Sequence, residues 1–360
     1  MILETVVLPF LLALSATAAI TPLVIYIGKR IKLVDDPKVH KHPGVIHTTP
    51  IPRGGGIALF FGVVFASIFF IPLTTTTLAI FIASFIILVV GVLDDRRNSL
   101  GKDLSPYIRF IILFLCAVIV VGSGVTIDFI THPLGGVLHF DTFALSLFGL
   151  TLRASDIISI LWIVWVMNML NWSKGVDGQM PGIVAISAIV IGILSLRFPV
   201  VDHTILLDAK LSFIIAGSAL GFLLFNFYPA KIFPGYSATA LYLLLAVVSI
   251  LSSAKLATAI LVMGIPSVDA IFTILRRILS GRSPFWHDNK HLHHILLKRG
   301  LSQRQIAVLY WGFSALLGTI ALTLQSKSKL FAIIMLVVIV GGALLFLHLT
   351  AKYTHEKEIA

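Results

Sequence analysis

The stretch "TTTLAIFIASFIILVVGVLDDRRNSLG", residues 75–101, decides the fold class. Its first nineteen residues, Thr75 to Leu93, carry no charge and are dominated by apolar side chains. Asp94 and Asp95 then stand side by side, followed by Arg96 and Arg97. At about 1.5 Å per residue, a helix of this length approaches the roughly 30 Å of a bilayer's hydrocarbon core. A carboxylate at the end of such a span is costly unless a cation or water meets it. The run therefore sets the class, and the pair of aspartates asks what they face.

The rest of the chain repeats the pattern. Of its 360 residues, 58% are hydrophobic and 12% charged, against about 25% charged in an average soluble domain. The apolar runs are continuous rather than alternating, which excludes a membrane β-barrel. The reading is an all-α polytopic membrane protein, one integral-membrane domain over residues 1–360 with about eleven transmembrane helices. They are expected near 4–27, 54–73, 75–93, 107–125, 156–170, 181–198, 210–228, 237–254, 256–275, 305–325 and 330–349. The ninth carries Pro266 and Asp269 and is expected to be broken. Between the fourth and fifth, Thr126 to Ser155, a "GGV" turn predicts a small hairpin or surface helix outside the bilayer. The first run opens with Glu4 rather than a basic residue, so it reads as a retained span and not a cleaved signal. The single cysteine, Cys116, lies inside a span, which leaves no disulfide and no cysteine-based zinc site.

Basic residues orient the chain. Loops on one side carry 20 Lys and Arg, those on the other carry 6, and Arg109 falls within a span. The richer side is expected to face the cytoplasm, with the N-terminus outside, the C-terminus inside and the protein in the inner (plasma) membrane. The net charge of +11 is then mostly a cytoplasmic fringe against the lipid bilayer, with no nucleic acid partner.

Five inward loops hold nearly all the chemistry. The first, "LVDDPKVHKHPGVIHTTPIPRGGG" (Leu33 to Gly56), has three histidines, His47 among them, and a Gly run opening a helix. Backbone N–H groups at such a start can receive phosphate, although close helix packing explains a lone Gly run more simply. The second holds Asp94 and Asp95. The third, "NMLNWSKGVDGQMPG" (Asn168 to Gly182), contributes Asn171 and Asp177, and the fourth is "NFYPAKIFPGYSAT" (Asn226 to Thr239). The fifth, "RRILSGRSPFWHDNKHLHH" (Arg276 to His294), is rich in cations and histidines. Paired carboxylates suit Mg²⁺, which takes carboxylate, water and phosphate oxygens. Phosphoryl transfer needs positioning and positive charge around phosphates, which Arg276, Arg277, Arg282, His291, His293 and His294 supply. "HLHH" as a zinc cluster lacks the accompanying Cys or acidic motif.

In this order the motifs "LVDDP…H…PIPRGGG", "GVLDDRRN…LSP", "NMLN…GVDG", "N…PAKIF.G", "GIPSVDAIF…RR" and "SPF..D..HLHH" resemble the polyprenyl-phosphate N-acetylhexosamine-1-phosphate transferases, glycosyltransferase family 4. The likeness covers Leu33 to His294, and "HLHH" is similar to the His-x-His-His of the branch using UDP-N-acetylglucosamine. The resemblance implies helices around a cytoplasmic-facing cleft, Mg²⁺ as cofactor, a UDP-N-acetylhexosamine donor, undecaprenyl phosphate as acceptor and UMP as product. That is the first step of a lipid-linked cell-envelope glycan such as lipopolysaccharide or teichoic acid, and it is compatible with an oligomer. It makes Asp94, Asp95 and Asp177 the catalytic and metal-binding residues. It makes His47, Asn171, Lys174, Tyr236, Asp269, Arg276, Arg277, His291, His293 and His294 the substrate-binding ones.

Two positions in the third and fourth loops depart from that pattern, and in the fifth Asn289 stands where an arginine is common. Where the family usually reads Asp-Gly-x-Asp-Gly this chain has "KGVDG", with Lys174 for the first aspartate. Where it reads Phe-Met-Gly-Asp-x-Gly-Ser this chain has "FPGYSAT", with Tyr236 for an aspartate associated with the metal. Two carboxylates are lost and an ammonium gained, so weaker Mg²⁺ dependence is expected, with Lys174 near the donor diphosphate. A non-catalytic relative that binds nucleotide-sugar or polyprenyl phosphate is the alternative. A transporter, which would place polar groups near the midplane of repeated halves, fits least.

Overall fold

The computed structural model describes residues 2–39, 46–132, 136–147, 150–197, 203–251, 256–286 and 288–357. His40 and His42 of the first loop lie outside them. The helices are α1 (Leu3–Arg30, entered through one π turn), α2 (Gly55–Phe70), α3 (Thr75–Ser99), α4 (Pro106–Gly122), α5 (Ala154–Trp172), α6 (Gln179–Ser195) and α7 (His203–Asn226). They continue as α8 (Thr239–Ile250), α9 (Leu256–Val262), α10 (Gly264–Leu279), α11 (Leu292–Lys298), α12 (Gln303–Thr323) and α13 (Ser326–Lys357).

Each of the eleven expected spans coincides with a helix or, for the ninth, with the pair α9–α10, which bends by 79° at Met263. The number of crossings is a separate matter. Among the described residues six helices are long and apolar enough to cross a membrane, or seven with the bent pair counted as one span. The helices α2, α4, α6 and α8 are apolar but shorter, with 16, 17, 17 and 12 residues. A 12-residue helix rises only about 18 Å, so α8 is a core element rather than a free-standing span. All its residues are buried, and α2, α3, α5, α6, α7 and α9 surround it.

Small residues let these helices approach, as expected where lipid removes the hydrophobic drive between them. A Cβ on Gly217 of α7 would stand 2.1 Å from the Phe10 carbonyl oxygen of α1, and one on Gly221 2.4 Å from that of Leu14. Thr17 donates to Ser218 across the same seam at 2.9 Å. The long run of the opening stretch starts at a reciprocal cap in which Thr74 and Thr77 exchange side-chain and backbone hydrogen bonds. Among the described residues of 126–153, β3 (Phe129–Thr131) pairs antiparallel with β4 (Val137–His139) and β5 (Ala144–Leu147) with β6 (Leu150–Arg153), as the hairpin expectation has it, while residue 135 of the expected turn lies outside the described residues. A third ladder matters for the site. β1 (Val34–Asp35) and β2 (Ile51–Pro52) pair antiparallel and bring Asp35 and Arg53 to one end of the bundle.

Candidate active site

All five motif loops close on one cavity of about 330 Å³ at that end. Asp94 and Asp95, adjacent on α3, point about 100° apart around the helix, and this separates their tasks. Asp94 lines the cavity. Its Oδ1 accepts from the Arg109 Nε (3.0 Å) and the Leu104 N–H (3.2 Å), with Arg109 Nη2 at 2.7 Å.

Asp95 is 1% exposed and stands behind the lining. Its Oδ1 accepts from the Tyr236 N–H at 2.7 Å, and its Oδ2 from the Ser237 N–H and hydroxyl at 3.2 and 2.8 Å. The loop before α8 is thus folded around a carboxylate. Gly235 (φ +68°) permits it, since a Cβ there would lie 2.2 Å from Asp95 Oδ2. Expected as a catalytic metal ligand, Asp95 here accepts three hydrogen bonds from residues 236–237 and does not line the cavity. Of the two aspartates, one faces the cavity and the other holds the loop that walls it.

The glycine run is explained by packing. The N–H groups of Gly55 and Gly56 donate to the carbonyls of Phe233 and Pro234, both at 3.0 Å, and are not left for a phosphate. A Cβ on Gly56 would sit 2.1 Å from the Ser237 backbone, and one on Gly91 2.4 Å from the Ser237 Cα. The loop 233–237 is clamped between α2 and α3.

At the end of α5, Asn171 donates to the Met167 carbonyl and to Thr239 Oγ1, each at 2.8 Å. Lys174, two residues past the helix, donates to Asn171 Oδ1 at 2.9 Å and to the Gly235 carbonyl at 2.8 Å. Burial pushes this ammonium down to about 7, with Arg53 and Arg109 adding to the effect and Asp95 and Asp94 opposing it. The Tyr236 ring lies beneath two cations, with Arg109 Cζ 5.0 Å and Lys174 Nζ 5.6 Å from its centroid. Asp177 Oδ2 accepts from the Ala230 N–H at 2.9 Å. Burial raises the Asp177 carboxyl, while that hydrogen bond and the nearby His47 pull it down.

From the first loop come His47, 3.2 Å from the Asp35 carbonyl, and Arg53. Arg53 pairs with Asp35 (3.5 Å) and Asp95 (3.8 Å) and donates to Asn98 Oδ1. The fifth loop is built by two acidic anchors. Asp269 on α10 accepts from the Leu292 N–H at 2.9 Å and meets His291 Nδ1 at 2.8 Å, which fixes the ring at the mouth of α11. Asp288 takes Arg277 Nε at 2.9 Å and Arg276 Nη2 at 3.0 Å. Burial favours its neutral form, but the hydrogen bond and charge of Arg277, with Arg276 behind, hold its carboxyl down to about 2.

The rings of His291 and His293 stack at 5.6 Å, and His293 is 4.3 Å from His294. Burial and the neighbouring histidines push His293 well below the usual imidazole range, and burial takes His294 to about 4. At neutral pH both rings are uncharged. His293 Nδ1 is buried with no hydrogen-bond partner among the described residues, as is Arg53 Nε. Arg53 Nε faces Asp95 at 3.8 Å, and both Arg53 and His293 line the cavity.

Of the expected site residues, Asp94, Asp177, His47, Asn171, Lys174, Tyr236, Arg277, His291, His293 and His294 line the cavity. Asp95, Asp269 and Arg276 stand behind it as supports. Sequence reasoning missed Asp35, Arg53, Arg109 and Asp288. For Arg109 there is a signal in the sequence, a basic residue inside the fourth expected span and fifteen positions after Asp94. The Mg²⁺ site expected of Asp94, Asp95 and Asp177 does not assemble. Asp95 is engaged by the 236–237 segment, Asp94 is paired with Arg109, and among the described residues no group of three His, Cys, Asp or Glu is placed to hold a metal.

The profile of Glycosyl transferase family 4 matches residues 77–253. The chain is 32% identical over 345 residues to the "Probable undecaprenyl-phosphate N-acetylglucosaminyl 1-phosphate transferase" of Bacillus subtilis, covering 92% of this chain and 89% of that protein. It is 32% identical over 297 residues to the "Decaprenyl-phosphate N-acetylglucosaminephosphotransferase" of Mycobacterium leprae, with 74% and 71% covered. With the "Undecaprenyl-phosphate alpha-N-acetylglucosaminyl 1-phosphate transferase" of Escherichia coli O157:H7 it shares 27% over 335 residues, with 89% and 84% covered. The matched segment runs from the start of α3 through α8, the elements that carry Asp94, Asp95, Lys174, Asp177 and Tyr236, and on this ground the chain belongs to glycosyl transferase family 4.

Proposed function

We propose that the protein transfers N-acetylglucosamine-1-phosphate from UDP-N-acetylglucosamine to undecaprenyl phosphate at the cytoplasmic face of the inner (plasma) membrane. The observation that carries this reading is the convergence of five loops, far apart in sequence, on one cavity lined by Arg53, Arg109, Lys174 and Arg277. Such a set suits a ligand with several phosphate charges. The family and the names of its relatives supply the substrate class.

In the reaction a phosphate oxygen of the lipid attacks the β-phosphorus of the donor. A new P–O bond forms there while the bond to the bridging oxygen breaks, and UMP leaves with that oxygen and its electron pair. Arg109, held by Asp94 through Nε and Nη2, lines the cavity and is placed to hold the lipid phosphate. Arg53 and His293, which line the same cavity, are placed for the donor. Asp177, with its raised carboxyl, takes the last proton of the acceptor phosphate. At the cavity's edge Phe285 packs against Tyr107 and Phe110 of α4, with centroids at 5.6 and 5.8 Å. Tyr107 and Phe110 are exposed, an apolar surface suited to the chain of a lipid acceptor. Purified protein given UDP-N-acetylglucosamine and undecaprenyl phosphate should release UMP and form one lipid product. Donor binding without UMP would favour the binding-only relative, for which the Lys174 and Tyr236 replacements speak.

A further inference from the structure

The two departures from the family pattern form one structural unit. Lys174 donates to the carbonyl of Gly235, the residue before Tyr236, and its ammonium lies over the Tyr236 ring. The charges around the cavity are otherwise matched. Arg53 pairs with Asp35 and Asp95, Arg109 with Asp94 and Arg277 with Asp288. Lys174 differs from these three because both its hydrogen-bond acceptors are neutral, the Asn171 amide and the Gly235 carbonyl. An ammonium has three donors, so one remains to face the cavity. A divalent ion in the same cavity would be repelled by this charge, and Asp95, turned to the loop behind the lining, already accepts three hydrogen bonds.

We infer that Lys174 takes the place of the divalent cation, so that this protein binds the donor's diphosphate and transfers from it without Mg²⁺. Tyr236 supports the ammonium from below, and its phenol, kept protonated by burial, is a hydrogen-bond donor rather than a metal ligand. The inference rests on the proposed sugar-nucleotide donor.

The test uses the purified full chain after EDTA treatment. Calorimetry measures UDP-N-acetylglucosamine binding, and electron paramagnetic resonance measures Mn²⁺ retention, so neither depends on turnover. Donor affinity in EDTA should stay within about twofold of that in Mg²⁺, Mn²⁺ should not be retained, and any UMP release should persist. Lys174→Met, checked for a monodisperse folded state, should weaken donor binding at least about tenfold, and Lys174→Arg should restore part of it. The double variant Lys174→Asp/Tyr236→Asp should retain Mn²⁺ and bind donor only with a divalent ion. EDTA-insensitive, Lys174-dependent binding without UMP release would uphold the cation replacement while removing the transfer reaction. Donor binding abolished by EDTA and restored by Mn²⁺ in the unaltered protein would overturn it. So would wild-type affinity in folded Lys174→Met, or no donor binding at all.

Discussion

Replacing each of the two adjacent aspartates by asparagine should give opposite phenotypes. In Asp94 the Arg109 Nε and the Leu104 N–H donate to Oδ1, with Arg109 Nη2 ion-paired to the same oxygen, and Oδ2 accepts no hydrogen bond among the described residues. An asparagine can place its amide oxygen at the Oδ1 position and its NH₂ on the open side, so the change removes charge with little loss of geometry. Its cost to stability should be about 1 kcal/mol. Its cost to turnover should be about a hundredfold or more, because Arg109 loses the charge that orients it at the phosphate. In Asp95 both oxygens are engaged, so an amide NH₂ must face either the Tyr236 N–H or the Ser237 N–H in a fully buried site. One donor is left unpaired and the Arg53 pairing is lost, at about 3 kcal/mol. Thermal unfolding in detergent should therefore show Asp94→Asn near wild type and Asp95→Asn lower by several degrees, with UMP release measured below both midpoints. Equal unfolding midpoints with equal loss of turnover would refute the division of labour.

A cysteine placed at Ser99 should be shielded from an impermeant outside reagent in intact cells, and labelling from outside would reverse the topology and with it the cytoplasmic cavity. Lys174 is lowered to about 7 in the free protein, and a bound diphosphate raises it again. Above pH 7 donor binding should then take up a proton, and affinity should fall as pH rises. Calorimetry at pH 8 in buffers of different ionisation enthalpy reads this uptake, and Lys174→Met should abolish it. Gly175→Ala should displace His293, since a Cβ there would stand 1.9 Å from His293 Nε2. Donor affinity measured by calorimetry should drop about tenfold while unfolding shifts little.

The membrane class was readable because a nineteen-residue uncharged run has few other uses, and the helix positions followed from it. The crossing count was less readable, because α8 is as apolar as a span but only twelve residues long and wholly enclosed. The motif loops were legible as a set, since they recur on one side of the charge asymmetry. What each carboxylate does was not legible, because Asp94 and Asp95 differ only by one helical step and by what lies opposite. Asp95 meets a loop 141 residues later in the chain, and no local pattern announces that partner. The glycines at 55 and 56 were legible as packing residues, and the structure agrees, since their N–H groups are consumed by the carbonyls of Phe233 and Pro234. Asp35 and Asp288 escaped notice because each gains its meaning from an arginine brought close by folding.

The most direct measurement follows the β-phosphorus. With UDP-N-acetylglucosamine labelled at the β-phosphate, transfer of the sugar together with its phosphate predicts that label moves into the lipid fraction in equal amount to the UMP released. The Asp94→Asn protein should slow both together. Label that stays with the nucleotide while sugar appears on the lipid would contradict phosphosugar transfer, and so would a folded, donor-binding protein that leaves the lipid unlabelled.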